Sequence, residues 1–451
     1  MSLAQTGADL DEAVPADAPP PVRESRWAGW VVTGVAGLTP LIAYLWSLGF
    51  AAIVALAGLL CLPLLYRSRR PDLGQGLLLA LVLWALASMA WGVAVPAAPR
   101  DFSVESMTGL KLALQLGLYG AFVGGALMLS KAAGARASLV LAVGLLAITV
   151  VFGIDAVTKA EIYQWIRAAA GQPQRPDWAM RDVARVAYVL ALLFWPAYLR
   201  LEQAGWPIPA GIMAAAMVGG GYLLNADAPL AALAVSAAVF MAVRFWGRPA
   251  LLAWVGGVAF YFLAAPLIVH ALGNGPLIQA AEGDIRVQSW AIRTDIWRFA
   301  ADRILERPFL GWGLDAARTF SPQIPLHTHN AAIQIWLELG AIGAGIATLF
   351  WLWLGGRIDA MEARDRPLAA TCAACASAYL TIGALSFGVW QEWWLGLGAL
   401  AVASCAALAA ARRGMVFSPP PGGEGGSAPA ERGGGAPAPD TAITTDDAPN
   451  L

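Results

Sequence analysis

The sequence predicts an all-α polytopic membrane protein with about twelve transmembrane helices and a large helical loop between the ninth and tenth spans. Three observations support this class. Of the 451 residues, 59% are hydrophobic and 13% are charged, whereas soluble domains are about 45–50% apolar and about 25% charged. The apolar residues form runs of about 20, the length that a helix needs to cross a bilayer. Basic residues concentrate in alternate connections between these runs.

The predicted spans follow these apolar runs in chain order. They cover approximately residues 27–46, 48–66, 75–94, 110–130, 136–154, 185–202, 205–225, 227–245, 249–271, 330–354, 367–389 and 393–411. Polar tails flank them at 1–25 and 415–451, rich in Pro, Ala, Gly, Asp and Thr. Because such segments bury little apolar surface, we expect both tails to be disordered, leaving residues 26–414 as one transmembrane domain.

Basic residues follow the even-numbered spans. They are Arg67, Arg69, Arg70, Lys131, Arg136, Arg200, Arg244, Arg248, Arg357, Arg364, Arg366, Arg412 and Arg413. Among the short connections after the odd-numbered spans, only the one after the third span, which contains Arg100, departs from the pattern. Long translocated loops are exempt from this count. Because Lys and Arg are enriched in cytoplasmic loops, both termini are predicted in the cytoplasm. Two long segments, about 155–184 and 272–329, then face outward.

The larger outward segment contains a predicted helix that begins after Asp284 as N-cap and ends before Pro308. Four side chains fall on one stripe of this helix: Arg286, Trp290, Arg293 and Trp297. An amphipathic helix lying on the membrane surface is an equally good interpretation of the stripe taken alone. The Gly311 and Gly313 pair then predicts a tight turn.

His329 and Asn330 precede the tenth span, so a titratable group is expected at its outer mouth. An interfacial histidine that caps the helix is the simpler alternative. His327 lies two residues earlier, which on a helix would place the two rings about 200° apart, so no metal site is expected. Arg181 and Arg185 precede the sixth span, where arginines can also extend to lipid headgroups.

Two ordered motifs occur together near the end of the larger loop. The first is R-x3-W-x10-P-x2-G-x-G from Arg293 to Gly313, and the second is H-N-x9-G-x2-G from His329 to Gly343. With the span count and loop position, they closely resemble the O-antigen ligase and polymerase superfamily, with the second motif of the bacterial lipopolysaccharide O-antigen ligase type.

This resemblance implies a glycosyltransferase of the bacterial inner membrane whose active site faces the periplasm. It would transfer a glycan from undecaprenyl diphosphate to an acceptor, which in ligases is lipid A–core, without a metal or cofactor. Membrane lipids are expected as partners, and nucleic acid is not. His329, Arg293 and Arg185 match the catalytic positions, although the context of Arg185, Ala184-Arg185-Val186, departs from the family and Arg181 competes with it. The residues expected to bind substrate are Arg286, Trp297, Asn330, His327 and Arg181.

The residue types fit that chemistry. Two guanidinium groups can hold phosphate oxygens in bidentate geometry, and a histidine can accept the proton of an attacking hydroxyl. Glu338, about 13 Å deeper along the helix and on its opposite face, is expected to be structural. A polymerase that joins lipid-linked repeats is the alternative reaction. A transporter is a third possibility, although the spans lack the paired intramembrane charges expected of one.

Overall fold

A computed structural model describes residues 24–67, 72–94, 107–273 and 285–414, and every regular element within these ranges is helical. Residues 1–23 and 415–451 of the tails, and Asp284, lie outside the described residues. The helices are α1 Arg26–Leu45, α2 Phe50–Cys61, α3 Leu73–Ser88, α4 Thr108–Ala126, α5 Lys131–Thr158, α6 Glu161–Ala169, α7 Pro176–Ala184, α8 Val186–Gln203, α9 Pro207–Leu223, α10 Asp227–Trp246, α11 Arg248–Gly273, α12 Ile285–Glu306, α13 Ala331–Glu362, α14 Arg366–Leu385 and α15 Glu392–Ala411. Short 3-10 segments cover Ser47–Gly49, Leu62–Arg67 and Ala316–Phe320.

Each predicted span contains a helix, but the count of twelve crossings is not confirmed. Within the described residues, nine helical segments are long and apolar enough to cross a membrane, as expected of a multi-pass membrane protein. The helices α3 and α9 are apolar but shorter, because α3 ends at Ser88 in a turn and α9 begins only at Pro207. Conversely, α13 continues to Glu362, beyond the predicted end of the tenth span.

The helix ends that the basic residues assign to one side of the membrane contact one another. At the end of α15, Arg412 binds the Asp365 carboxylate through two nitrogens, at 2.5 and 2.7 Å. Arg413 lies 3.6 Å from Glu24, before α1, and Arg248 lies 3.1 Å from Asp359. The alternation of basic connections along the sequence therefore matches the arrangement of these helix ends.

Polar N-caps and buried apolar faces explain where the helices begin and how they pack. Ser130 accepts a hydrogen bond from Ala133 at the start of α5, and Asp365 accepts one from Leu368 at the start of α14. The loop helix α12 packs on α11 and α13. Its buried residues join the apolar cluster of those helices, and they are Ile296, Ala300, Ala301 and Ile304. The loop helix is therefore docked on the bundle and is not a free surface helix.

Candidate active site

A non-helical turn carries the histidine motif into α13. His329 has a positive φ of 54°, and Asn330 is the N-cap of the helix. The Asn330 Oδ1 accepts hydrogen bonds from the Ile333 backbone N–H at 3.1 Å and the Tyr261 hydroxyl at 2.9 Å. Asn330 was expected to bind substrate. Its oxygen starts α13 and anchors that helix to α11, and binding of substrate by Asn330 stays a prediction.

The His329 ring is held in one tautomer. Its Nδ1 lies 2.8 Å from the backbone carbonyl oxygen of Ser386, at the end of α14. A carbonyl only accepts hydrogen bonds, so Nδ1 carries the proton and Nε2 keeps its lone pair. Burial lowers the pKa of His329, and the charge of Arg293 lowers it further, against the opposing effect of the Ser386 hydrogen bond. The ring is therefore neutral near pH 7, and Nε2 can accept a proton.

His327 is also neutral, with the opposite tautomer. Its Nδ1 accepts the His329 backbone N–H at 3.2 Å, so Nε2 carries the proton. That Nε2 lies 3.1 Å from Gln391 Nε2, which is also a donor. Reversing the Gln391 amide, whose buried oxygen has no partner among the described residues, places an acceptor for this proton there. Burial, with smaller contributions from His329, Arg318 and Arg293, lowers the pKa of His327 to about 3.

The two histidine rings touch, contrary to the expected separation around a helix. Their centroids are 4.2 Å apart. The expectation was wrong because residues 327–330 are a turn and the positive φ of His329 folds the rings together. Within the described ranges, no group of three or more His, Cys, Asp and Glu side chains could hold a metal ion.

The loop helix α12 brings Arg293 and Trp297 to this turn. Trp297 donates its Nε1–H to the Thr328 carbonyl at 2.8 Å, which fixes the helix against the turn. Trp297 therefore supports the turn, and its binding of substrate stays a prediction. Half-buried Arg293 lies over the Trp290 ring at 4.9 Å, and its charge acts on both histidines. The predicted ligand Arg286 has no described side chain.

Arg293 makes no ion pair with any other side chain that the structure describes. A half-buried guanidinium near two neutral histidines leaves the mouth of α13 positively charged. Such an arrangement favours an anionic ligand, since arginine forms paired hydrogen bonds with phosphate oxygens.

Of the two competing arginines before α8, Arg185 is the one held in place. Its Nη1 lies 2.7 Å from Asp182 Oδ1. The Asp182 Oδ2 also accepts hydrogen bonds from Gln174 at 2.7 Å and from the Tyr163 hydroxyl at 3.4 Å. Arg181 is exposed one turn earlier. Since nearly half of the Arg185 side chain is exposed, at 47%, its pairing with Asp182 contributes little stability and leaves it accessible to a ligand.

The glycines of the two motifs form a close backbone crossing. The segment Pro308–Gly313 lies against α13 where that helix is interrupted at Gly340, with φ 64° and ψ −166°. The Ala341 and Gly313 N–H groups donate across the crossing to Pro308 and Glu338 carbonyls, both at 2.8 Å. A Cβ on Gly340 would overlap the Phe309 carbonyl, and one on Gly311 would overlap the backbone of Glu338. The tight turn predicted from Gly311 and Gly313 therefore forms one side of this backbone crossing.

Glu338 is fully buried beside this crossing, and its carboxylate accepts four hydrogen bonds. The donors are the Asp315 N–H at 3.0 Å, the Ala317 N–H at 3.4 Å, Gln334 Nε2 at 3.0 Å and Trp390 Nε1 at 2.6 Å. Gln334 in turn accepts the Val389 N–H at 3.0 Å. The carboxylate therefore joins the loop after Gly313 to the 386–391 loop, which carries Ser386 and Gln391. The arrangement agrees with the structural role expected from the sequence.

Three residues that lie beside the site gave no functional signal in the sequence. Tyr188 and Ser386 lie within or beside apolar runs, and Arg318 lies in a 3-10 segment where it pairs with Asp315 at 3.0 Å. Gln391 could be placed at an outer turn, but its contact with His327 could not. Tyr188 lies three residues after Arg185, and only the packing of α8 on α14 brings it close to Ser386.

Comparison with known proteins identifies the region that holds the motifs. Residues 212–348 match the family model described as O-antigen ligase. This part of the chain is similar to the O-antigen ligase family. The match includes Arg293, the glycine crossing and His329, and it confirms the resemblance that these motifs carry.

Candidate polysaccharide ligases of Rickettsia resemble the same chain. The Rickettsia conorii protein is 33% identical over 124 residues, and the Rickettsia prowazekii protein is 31% identical over 121 residues. The alignments cover 24% of this chain in each case, and 30% and 29% of those proteins. The chain thus matches less than a third of their length. No solved structure matches.

Proposed function

We propose that this protein transfers a glycan from undecaprenyl diphosphate to an acceptor sugar at the periplasmic face of the bacterial inner membrane. Its most specific form is ligation of O-antigen polysaccharide to lipid A–core. The O-antigen ligase match over residues 212–348 and the polysaccharide ligase names of the Rickettsia relatives support this class of reaction. The proposal rests most directly on the His329 ring, neutral and oriented by Ser386 with Nε2 available.

In the proposed reaction, His329 Nε2 removes the proton from an acceptor hydroxyl. The acceptor oxygen then forms a bond to the anomeric carbon while the bond from that carbon to the diphosphate oxygen breaks. The electron pair stays on the diphosphate, and a single displacement of this kind inverts the anomeric centre. A correctly placed base of this kind contributes roughly 10²–10⁴-fold to the rate.

Arg293 and Arg185 would hold the diphosphate. Two guanidinium groups can stabilise the negative charge that develops on the leaving oxygen, the role that a metal ion has in other transferases. A lipid-linked diphosphate also suits the predicted periplasmic face. Because that compartment lacks nucleotide sugars, the free energy for transfer must come from the sugar–diphosphate bond itself.

Deletion of the gene in the source bacterium tests this function. We expect the high-molecular-weight lipopolysaccharide ladder to disappear on a gel while undecaprenyl-linked polymer accumulates. Reintroducing the wild-type gene should restore the ladder, and the His329→Ala variant should not. Retention of core capped with a single repeat unit would instead indicate a polymerase, and an unchanged glycan profile would contradict both reactions.

A further inference from the structure

Tyr188 places a hydroxyl group between Arg185 and the turn that carries His329 in the candidate active site. It lies in the first turn of α8, and its backbone N–H donates to the Arg185 carbonyl at 3.1 Å. Its ring contacts Phe387, with centroids 4.7 Å apart, and its Oη lies 3.3 Å from Ser386 Oγ. The ring contact fixes the side chain, and the hydroxyl points toward the residue that orients His329.

Ser386 connects this hydroxyl to the histidine through two separate groups. Its backbone carbonyl accepts Nδ1–H of His329 at 2.8 Å, and its side-chain hydroxyl contacts Tyr188. Ser386 is buried, with 5% of its surface exposed. The serine side chain can thus be removed without removing the carbonyl that orients the histidine.

Two cationic side chains and one acidic side chain act on the Tyr188 hydroxyl. Arg293 and Arg185 act on its hydroxyl from two different elements, α12 and the α7–α8 junction, together with the acidic side chain of Asp227. The hydroxyls of Tyr188 and Ser386 hold two protons between them, and their mutual hydrogen bond uses one. The second proton is available to a ligand oxygen.

We propose that Tyr188 and Ser386 form a hydroxyl pair that donates a hydrogen bond to the diphosphate of the lipid-linked donor, between Arg185 and Arg293. This assignment rests on the proposed function and adds a substrate-binding group to it. Phosphate oxygens are strong acceptors, and a hydrogen bond to a charged group is stronger than one between neutral groups. A phenol also contributes a donor without adding charge beside the neutral His329.

Binding of undecaprenyl diphosphate to the purified full-length protein in detergent tests the pair. We expect Tyr188→Phe to weaken binding roughly tenfold or more, because the ring and its Phe387 contact remain while the hydroxyl is lost. Ser386→Ala should weaken binding less. Tyr198→Phe, later on the same helix, should bind as the wild type does. Thermal unfolding of each variant verifies that the fold is intact.

Arg293→Ala, measured in the same series, separates the assignment of the hydroxyl pair from the proposed function. Wild-type affinity for Tyr188→Phe together with lost binding for Arg293→Ala would overturn the hydroxyl pair and leave the proposed function standing. Wild-type affinity for both variants would overturn both. Equal competition by phosphatidylglycerol would mean a general anionic-lipid site, which also contradicts the assignment.

Discussion

At His329, one hydrogen bond determines which ring nitrogen can act as a base. The Ser386 carbonyl holds the proton on Nδ1, and burial keeps the ring neutral by lowering its pKa. His327, two residues earlier, has both ring nitrogens engaged. Two adjacent histidines therefore have different chemical capacities, which the sequence spacing alone does not reveal.

The lowered pKa of His329 predicts the pH dependence of transfer. A general base must be unprotonated, so kcat/KM should rise with pH through a pKa below the ordinary value of about 6.5 and then level off. The rate should thus be nearly constant between roughly pH 7 and pH 8. Initial rates at low substrate concentration across a pH series measure this profile. An acid limb centred above pH 7 would be inconsistent with the buried, neutral ring.

Replacement of Arg293 by lysine tests whether the side chain holds diphosphate or only fixes a helix. We expect Arg293→Lys to lose nearly as much activity as Arg293→Ala, because an ammonium group cannot reproduce two parallel hydrogen bonds to phosphate. Transfer activity, normalised to membrane protein level, is the measurement. Arg298→Lys is a matched control on the same helix, since Arg298 forms an exposed pair with Asp295. Near-normal activity of Arg293→Lys would favour a helix-anchoring role.

At the scale of the element, the interruption of α13 shows how the two motifs depend on each other. The glycines of Pro308–Gly313 and the glycine at 340 meet backbone to backbone. Unwound backbone within an apolar helix must find hydrogen-bond partners in the protein. The Pro308–Gly313 segment supplies them, and the buried Glu338 carboxylate fixes the neighbouring loops.

Much of the helical framework could be predicted from the sequence, because apolar runs and capping residues are local signals. The loop helix was predicted to end before Pro308, and the structure ends it at Glu306. The interruption at Gly340 could not be predicted, because it depends on a segment about thirty residues earlier in the chain. The same holds for Ser386 and Tyr188, whose roles arise only where α8, α13 and α14 meet.

Substitution of the crossing glycine should destabilise the protein. We expect Gly340→Ala to lower the thermal unfolding midpoint in detergent, because its φ and ψ are nearly exclusive to glycine and cost other residues about 1–3 kcal/mol. The overlap of a Cβ with Phe309 adds to this cost. Gly345→Ala is the control within α13, where a Cβ meets nothing within 4 Å. Equal midpoints for the two variants would show that the crossing is not required.

At the scale of the whole molecule, the candidate site and the basic helix ends lie at opposite ends of the same helices. Helix α13 begins at the histidine motif and ends near Glu362, which pairs with Arg366 at 2.6 Å. Helix α14 begins at this pair and ends at Ser386. The orientation of the bundle therefore decides which compartment the site faces.

Cysteine labelling tests that orientation. In a cysteine-free background, a cysteine at exposed Gln323 should react with a membrane-impermeant thiol reagent in intact spheroplasts, whereas one at exposed Ala363 should not. Permeabilised cells, in which both positions should react, provide the control. The reverse pattern would end the proposal of a periplasmic site.

In the proposed reaction, His329 accepts the proton of the acceptor hydroxyl during transfer from a lipid-linked diphosphate. The most direct measurement is in vitro transfer from an undecaprenyl-diphosphate glycan to lipid A–core, with metal chelator present throughout. His329→Ala should reduce turnover by roughly 10²–10⁴-fold, His327→Ala should cost much less, and His270→Ala, at an exposed position of α11, should match the wild type. Equal losses for His327→Ala and His329→Ala, or activity abolished by the chelator, would contradict the claim.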